Sequence, residues 1–183
     1  MTDLIVNNPT GNFSYPPPIE RYYTQYQSHF SVDQYGACHP NFYILQHSNN
    51  VCVVCLGSGH PLIREKDSLP VCRVDCQVSR RIDRAANIAR GKSKQGAQRL
   101  YPSSILCYLC CENGEKFPVY SCIEGYLIEV NDNIVKEPQL LIRRPLDEGH
   151  IAVIMPIFRE RSKACTNLTV MRERIKPFQP LEI

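Results

Sequence analysis

Hydrophobic and polar residues alternate with a period of two along several stretches of the chain. In "VCRVDCQV", residues 71 to 78, Cys72, Val74, Cys76 and Val78 alternate with charged or polar residues. This alternation predicts strands with one buried face, and it places Cys72 and Cys76 in the core as small apolar residues. Further strand-like runs are "FYILQH", "VCVVCL", "SILCYLCC", "FPVYSCI", "YLIEV", "QLLI" and "IAVIMPIF".

Turn signals between these runs predict two hairpins. "SNN" separates "FYILQH" from "VCVVCL", which predicts a hairpin from Phe42 to Leu56. Asn113 and Gly114 separate "SILCYLCC" from "FPVYSCI", and Asn-Gly between alternating runs is a strong hairpin signal. "GSGHPLIREKDSLP" is predicted to be a loop. Many short strands with turn signals predict an all-β barrel or sandwich.

The ends of the chain lack this alternation. Residues 1–18, with three consecutive prolines and several Asn and Gly, predict a flexible N-terminal tail. The β domain is predicted over residues 19–160. Residues 161–183 are predicted to be a C-terminal tail, in which "NLTVMRERI" suggests a short helix.

Composition narrows the class of protein. A chain of 183 residues fits one domain with tails. Its longest apolar run, "IAVIMPIF", has eight residues, well short of the roughly 18–20 that span a bilayer. The N-terminus has neither a basic region nor a long apolar region, so we expect no secretory signal and no membrane association. The expected compartment is the cytosol or the nucleus.

Ten cysteines raise the question of a metal site. Cys52-x-x-Cys55 and Cys107-x-x-Cys110 would supply four thiolates to zinc. Both pairs lie in strand-like sequence without glycine, and residues i and i+3 of a strand point to opposite faces. Reduced core thiols are therefore the preferred interpretation, with zinc as the alternative and no metal expected.

Residues 120 to 156 resemble the C-terminal half of the glycine cleavage system H-protein. The matching residues are Gly125, Glu129, Val130, Asn131, Pro138, Leu140, Pro145, Glu148 and Gly149. The resemblance implies an H-protein-like, lipoyl-type barrel-sandwich hybrid.

The lysine that carries the lipoyl group in H-proteins has no counterpart at the matching position. Counting back from Gly125, that position is Gly114, and Lys116 lies two residues further on. A shift of two residues moves a side chain several Å along a strand. We therefore expect no cofactor, although a degenerate carrier domain stays an alternative.

Four blocks of sequence resemble the Abitram (Simiate) family, from about Ile19 to Phe158. They are "ILQHSNNVCV", "GKSKQGAQ", "CIEGYLIEVNDNI" and "EGHIAVIMPIF". The resemblance implies a non-enzymatic protein that binds actin, as monomer or filament, and modulates transcription with nuclear partners. It also implies a location in nuclear speckles and in the cytoplasm, including actin-rich cell projections.

One segment stands out by charge. In "SRRIDRAANIARGKSKQGAQRL", residues 79 to 100, seven cations and the single Asp83 sum to +6, whereas the whole chain carries +3. We call residues 79–100 the basic segment. Such a segment can recruit nucleic acid or an acidic protein surface such as that of actin, and the alternative is a solvated loop. Arg81 to Ala89 could be partly helical. The predicted partner-binding residues are Arg80, Arg81, Arg84, Arg90, Lys92, Lys94 and Arg99.

Catalysis has little support in the sequence. His47 with Cys52, or His60 beside Ser58, would be the candidate base and nucleophile pairs. Neither has the surroundings of an activated nucleophile, and His150 is expected to pack in the turn after Gly149. We therefore expect a binding protein rather than an enzyme. Actin binding is the first hypothesis, and nucleic-acid binding through the basic segment is the second.

Overall fold

The computed structural model describes residues 18–28, 31–32, 38–39, 42–64, 70–157 and 168–170. Strands dominate these ranges. They are β1 (Tyr23–Ser28), β2 (Ser31–Val32), β3 (Cys38–His39), β4 (Phe42–His47), β5 (Cys52–Leu56), β6 (Val71–Asp75), β7 (Gln77–Ser79), β8 (Ile82–Asp83), β9 (Arg99–Leu100), β10 (Ile105–Cys111), β11 (Lys116–Tyr120), β12 (Gly125–Val130), β13 (Ala152–Pro156) and β14 (Leu168–Val170).

The helices of the described ranges have four or five residues each. They are α1 (Pro18–Tyr22), α2 (Pro61–Arg64), α3 (Asp132–Lys136) and α4 (Leu140–Arg143). The prediction of an all-β fold is therefore confirmed. In the part of the chain that the structure describes, no helix has the length and apolar character needed to cross a bilayer.

The strands form one large antiparallel sheet and three smaller ones. The large sheet has the order β14-β1-β4-β5-β13-β12-β9, and a second sheet has the order β11-β10-β6. β2 pairs with β3, and β7 pairs with β8. A single cluster of buried side chains joins the two larger sheets, with Phe42 and Leu127 from the first and Leu106 and Leu109 from the second. The two sheets thus share one hydrophobic core.

Both predicted hairpins are present. β4 pairs with β5 from Phe42 opposite Leu56 to Gln46 opposite Cys52. β10 pairs with β11 across the turn that contains Gly114, whose φ of 86° lies in the left-handed region. Glycine adopts that conformation without steric penalty, which is why Asn-Gly predicts this turn well.

Strand β12 contains a bulge that departs from simple alternation. Leu127 pairs with Ile154 and Glu129 pairs with Val153, so Ile128 is an extra residue on this strand. As a result, Leu127 and Val130 are both buried although three positions separate them. The extra residue also increases local twist, as bulges generally do.

Two predicted elements are wrong. "QLLI" was expected to be a strand, but Leu140–Arg143 is helix α4, in which the amide of Arg144 donates to the carbonyl of Leu140 at 2.9 Å. A four-residue apolar run does not distinguish a strand from a buried helical turn.

The predicted C-terminal helix is wrong over the residues that the structure describes. Leu168–Val170 is strand β14, which pairs with the edge of β1. Thr and Val favour strands over helices, and pairing with a sheet edge reinforces that preference. The remainder of the predicted helix and nearly all of both predicted tails lie outside the described residues.

Candidate interaction surface on the basic segment

The basic segment forms an irregular excursion between two strands. Arg80 and Arg81 occupy the turn between β7 and β8, and the segment ends in β9. From Arg81 to Ala89 the chain forms the short strand β8 followed by turns, and it has no helix there. The excursion therefore depends on side-chain hydrogen bonds for its shape.

Arg84 supplies part of that support. Its side chain is buried, with 6% of the residue exposed. Nε donates to the carbonyl of Ile105 at 3.0 Å, and Nη1 donates to Oε1 of Gln98 at 2.7 Å. Burial lowers the pKa of Arg84, although a guanidinium stays charged at neutral pH. Arg84 was predicted to contact a partner, but its burial assigns it to the interior of the segment instead.

Asn87 and Gln98 fasten the segment to strand β12. Asn87 Nδ2 donates to the carbonyls of Leu127 and Ile128 at 2.9 and 3.0 Å, and its Oδ1 accepts from the amide of Gln98 at 2.9 Å. The amide of Leu127 donates to the carbonyl of Gln98 at 2.9 Å. These bonds satisfy backbone groups of β12 beyond its short pairing with β9, so this sheet edge is covered.

A tight turn displays the central cations of the segment. Arg90 and Gln95 exchange backbone hydrogen bonds of 3.0 and 2.9 Å, with Gly91 to Lys94 between them. Arg90 and Lys92 are exposed and Lys94 is half-exposed. Three of the predicted partner-binding cations therefore surround one turn.

Arg99 differs from these cations because it has an acidic partner. Its Nη2 lies 2.7 Å from Oε1 of Glu124, and its guanidinium carbon lies 5.2 Å from the centre of the Tyr101 ring. The hydrogen bond that Arg99 donates to Glu124 is the main reason that the pKa of Arg99 is raised. By contrast, within the described residues no ion pair is formed by Arg80, Arg81, Arg90, Lys92 or Lys94.

Apolar side chains are exposed on and beside the same segment. Among the described residues five large hydrophobic side chains are exposed. Three of these five are Ile82, Ile88 and Tyr101, at 40%, 52% and 53% exposure. Exposed apolar groups rimmed by charge are typical of interaction sites. Ile82 and Ile88 stand among the cations of the basic segment, but charge alone did not predict their exposure.

An open depression of about 440 Å³ lies within the segment, between Ala86 and Gln98. Asn87, Ile88, Arg90 and Gly96 contribute to its lining. A Cβ atom at Gly96 would lie 2.9 Å from the carbonyl oxygen of Ile88, and the φ of Gly96 is +85°. The backbone at Gly96 therefore approaches the carbonyl of Ile88 as closely as a glycine permits.

The cysteines of the first CxxC pair lie in different clusters of buried side chains. Cys52 belongs to the main core, whereas Cys55 belongs to a separate cluster with Tyr43 and Leu45. The expectation that i and i+3 on this strand face opposite sides is thus confirmed. Among the described residues, no group of three or more His, Cys, Asp or Glu side chains is placed to hold a metal ion.

Cys72 departs from its predicted core position. Cys76 is buried as expected, but Cys72 is exposed. Cys110 pairs with Arg73 and Cys111 pairs with Val71, so the register of β6 shifts by one residue at Cys72. This irregularity turns the Cys72 side chain outward, where its thiol lies 3.2 Å from the carbonyl oxygen of Cys110.

The histidines and the serine of the candidate catalytic pairs take part in hydrogen bonds that stabilise the fold. His60 is 2% exposed, and burial lowers its pKa to about 4. Its Nδ1 accepts from the amide of Leu62 at 3.2 Å, while the hydroxyl of Ser58 lies 2.6 Å from that of Tyr43. His47 Nδ1 accepts from the amide of Asn49 at 3.2 Å. These bonds give the two histidines and Ser58 roles in packing and turn formation.

Asn131, one of the residues that match the H-protein, hydrogen-bonds to two separate parts of the chain. Its Oδ1 caps α3 by accepting from the amide of Asn133 at 3.0 Å. Its Nδ2 donates to the carbonyls of Glu148 and His150, each at 2.7 Å. The Asn131 side chain thereby joins the end of β12 to the turn that precedes β13, which is a structural role.

The fold and this surface define an all-β protein with an anchored basic segment that presents cations and apolar groups to solvent. The chain is 35% identical over 158 residues to human Protein Abitram, covering 86% of this chain and 84% of that protein. It is 39% identical over 156 residues to Protein Abitram of Gallus gallus, covering 85% and 87% of the two chains. The chain belongs to the Abitram family. No protein-family model matches it.

The chain is also similar to a more distant relative and to a solved structure. Protein Abitram of Dictyostelium discoideum is 29% identical over 147 residues, covering 78% of this chain and 77% of that one. A crystal structure of a glycine cleavage system H protein from Mycobacterium marinum is similar at a TM-score of 0.49 and 11% identity, covering 71% of this chain and 84% of that one.

Proposed function

We propose that this protein is a non-enzymatic actin-binding protein that modulates actin organisation and transcription, and that the basic segment is its contact surface. One observation supports the choice of surface above the others. A segment held by hydrogen bonds to β10 and β12 presents five cations that have no acidic partner among the described residues. A solvated loop would not require such anchoring.

Charge makes an acidic surface, such as that of actin, the complementary partner. Exposed cations raise the rate of encounter with an acidic surface, and arginine is enriched among residues that dominate binding energy. The apolar Ile82 and Ile88 extend the contact beyond charge. The anchoring reduces the conformational entropy that the segment loses on binding, because its backbone is already ordered.

Co-sedimentation with filamentous actin and titration of monomeric actin test this proposal. In the test variant, glutamine replaces Arg80, Arg81, Lys92 and Lys94. In the control, glutamine replaces Arg64, Lys116, Lys136 and Arg143, which are also two arginines and two lysines on exposed positions. We expect the first variant to lose actin binding and the control to keep it, with both folded, because exposed charges contribute little to stability. Equal binding by both variants, or no actin binding by the natural chain, contradicts the proposal.

A second candidate function is nucleic-acid binding through the same segment. Tyr101, directly after the segment, is 53% exposed and offers an aromatic face for base stacking. Nucleic-acid binding through several phosphates would weaken steeply and log-linearly with salt, and the slope would fall in the glutamine variant. Tight duplex or RNA binding without actin binding at low salt would make this function the first choice.

The proposed location follows from the proposed function. We place the protein in the nucleus, including speckles, and in the cytoplasm, including actin-rich projections. Imaging of a fluorescent fusion beside an actin stain tests this, and exclusion from both compartments contradicts it.

A further inference from the structure

The depression inside the basic segment combines an apolar residue and a cation in one concave surface. Its lining residues include Ile88, an exposed apolar residue, and the cation Arg90, and its volume is about 440 Å³. This volume falls within the roughly 300–1,000 Å³ of typical ligand sites. We propose that the depression is the docking site for a short acidic peptide segment of a partner protein, with an apolar side chain next to a carboxylate. The inference rests on the proposed function and narrows it to one site.

The shape of the depression is fixed before any partner binds. Asn87 and Gln98, which both line it, are joined by a hydrogen bond of 2.9 Å, and Gln98 Nε2 donates to the carbonyl of Asp83 at 2.6 Å. Gly96 approaches the carbonyl of Ile88 so closely that a Cβ atom would lie 2.9 Å from its oxygen. A peptide would therefore meet a preformed surface, which reduces the entropic cost of binding.

The chemistry of the lining selects the ligand. The Arg90 guanidinium has five N–H donors and no ion-pair partner among the described residues, and a carboxylate can accept two of its hydrogen bonds in parallel. Lys92 and Lys94, in the adjoining turn, favour further acidic residues in the same ligand. Gln95 is exposed, and its carboxamide can bond to a peptide backbone.

Ile88 distinguishes a peptide from a nucleic acid. A phosphate would bind Arg90 equally well, but the sugar of a nucleic acid presents less apolar surface than a leucine-like side chain to cover Ile88, which is 52% exposed. No aromatic side chain is among the residues that line the depression, so a base has nothing to stack on there. The apolar and cationic groups together match an acidic peptide that carries leucine-like side chains.

The experiment titrates the full chain, labelled with ¹⁵N, with a short peptide in which Glu and Leu alternate. Two matched peptides serve as controls, one with Gln in place of Glu and one with Ser in place of Leu. We expect the largest amide shifts at residues 86–98, and binding roughly tenfold weaker for each control peptide, because each lacks one of the two contacts.

Protein variants locate the contact. Ile88→Ser and Arg90→Gln should each weaken binding of the Glu-Leu peptide roughly tenfold, as expected for loss of one well-placed contact. Val135→Ser and Lys136→Gln are the matched controls, since Val135 is also an exposed apolar residue, at 44%, and Lys136 an exposed cation. These two should bind as the natural chain does.

Several results would overturn the docking site. One is a set of amide shifts spread evenly over the exposed cations. Another is an Ile88→Ser variant that binds the Glu-Leu peptide as tightly as the natural chain does. A third is a DNA duplex that shifts the same amides and displaces the peptide. None of these measurements uses actin. Peptide binding at 86–98 without actin binding thus refutes the proposed actin function alone, and actin binding by a chain that does not bind the peptide at 86–98 refutes the docking site alone.

Discussion

Arg84 donates a hydrogen bond of 2.7 Å to Gln98, and this pair joins the start of the basic segment to its end. The same arginine donates to the carbonyl of Ile105 on β10, while Gln98 bonds to β12 through its backbone. A buried cation is therefore the link that holds the exposed cations in place. The segment has two kinds of basic residue, one that shapes it and others that face solvent.

Replacement of Arg84 by leucine should destabilise the protein and loosen the segment. The change leaves Oε1 of Gln98 and the carbonyl of Ile105 without their charged donor, which costs roughly 2–4 kcal/mol of unfolding free energy. Denaturant unfolding measures this loss, and hydrogen exchange should rise across residues 85–97. Arg81→Leu is the control, because Arg81 is exposed and should change stability by less than about 0.5 kcal/mol. Equal stability of the two variants would contradict the role of Arg84.

Two glycines of the same segment should respond differently to alanine. Gly91 has a φ of +64° and open space where a Cβ would stand, so Gly91→Ala should lower the unfolding free energy by about 1 kcal/mol. Gly96→Ala adds the contact with the Ile88 carbonyl to the same backbone strain and should lose at least about 2 kcal/mol. Thermal unfolding of both variants makes the comparison. Equal losses would show that the approach of Gly96 to Ile88 relaxes without effect.

Local features explain what could be predicted from the sequence. The β10–β11 hairpin follows from Gly114 in its turn, and seven strands of five or more residues coincide with predicted runs, namely β4, β5, β6, β10, β11, β12 and β13. Strand β1 and the strands of two or three residues were not predicted. Helix α4 was missed because Leu140–Arg143 is too short to show a period. Cys72 was misplaced because a register shift depends on the partner strand, which alternation within one strand does not reveal.

The anchoring of the basic segment, and which of its cations are exposed, could not be predicted from the sequence. The bond between Arg84 and Gln98 spans fourteen positions, and those between Asn87 and β12 span about forty. Charge counting treats all seven cations alike, so it could not separate buried Arg84 or paired Arg99 from the five with no ion pair among the described residues. It could identify the segment, but not which of its side chains face a partner.

The unfolding free energy should fall as the pH falls from about 6.5 towards 4. His60 packs between Phe42 and Phe117 with ring centroids 5.7 and 5.6 Å away, and burial lowers its pKa from 6.5 to about 4. Between these pH values the unfolded chain binds a proton that the folded chain does not. The lost stability approaches about 3 kcal/mol at the acidic end.

Denaturant unfolding across this pH range measures the effect. His60→Asn is the comparison, because the Asn carbonyl can accept from the Leu62 amide without titrating. The slope of stability against pH should be shallower in this variant. An identical slope would assign the acid sensitivity to other groups.

Lys116 should carry no lipoyl or biotinyl group. The tip of its hairpin holds Gly114, which is exposed, whereas Lys116 is the first residue of β11 and pairs with Cys110 of β10. A carrier lysine must reach its modifying enzyme from the tip of a turn. Intact mass measured on protein purified from cells decides the matter, and a lipoyl adduct that Lys116→Arg abolishes would restore the carrier hypothesis.

Alkylation of the native protein should separate Cys72 from the buried cysteines. The thiolate is the reactive form, and burial raises the pKa of Cys55, Cys107 and Cys122, in the last case to about 12. Cys72 is exposed. Peptide mapping after iodoacetamide treatment should find Cys72 modified, whereas the three buried cysteines should stay unmodified until the protein is unfolded. Rapid modification of Cys55 in the native state would contradict the core assignment.

The positions of the CxxC cysteines predict that the protein does not depend on a metal ion. Cys52 and Cys55 belong to separate clusters on one strand, so they cannot hold a single ion without a rearrangement of the sheet. We therefore expect a zinc-to-protein ratio near zero and a melting temperature that a chelator leaves unchanged, since a structural zinc would contribute folding energy directly. Elemental analysis and thermal unfolding with and without chelator measure both. A ratio near one, lost together with stability on chelation, would instead assign Cys52, Cys55, Cys107 and Cys110 as ligands.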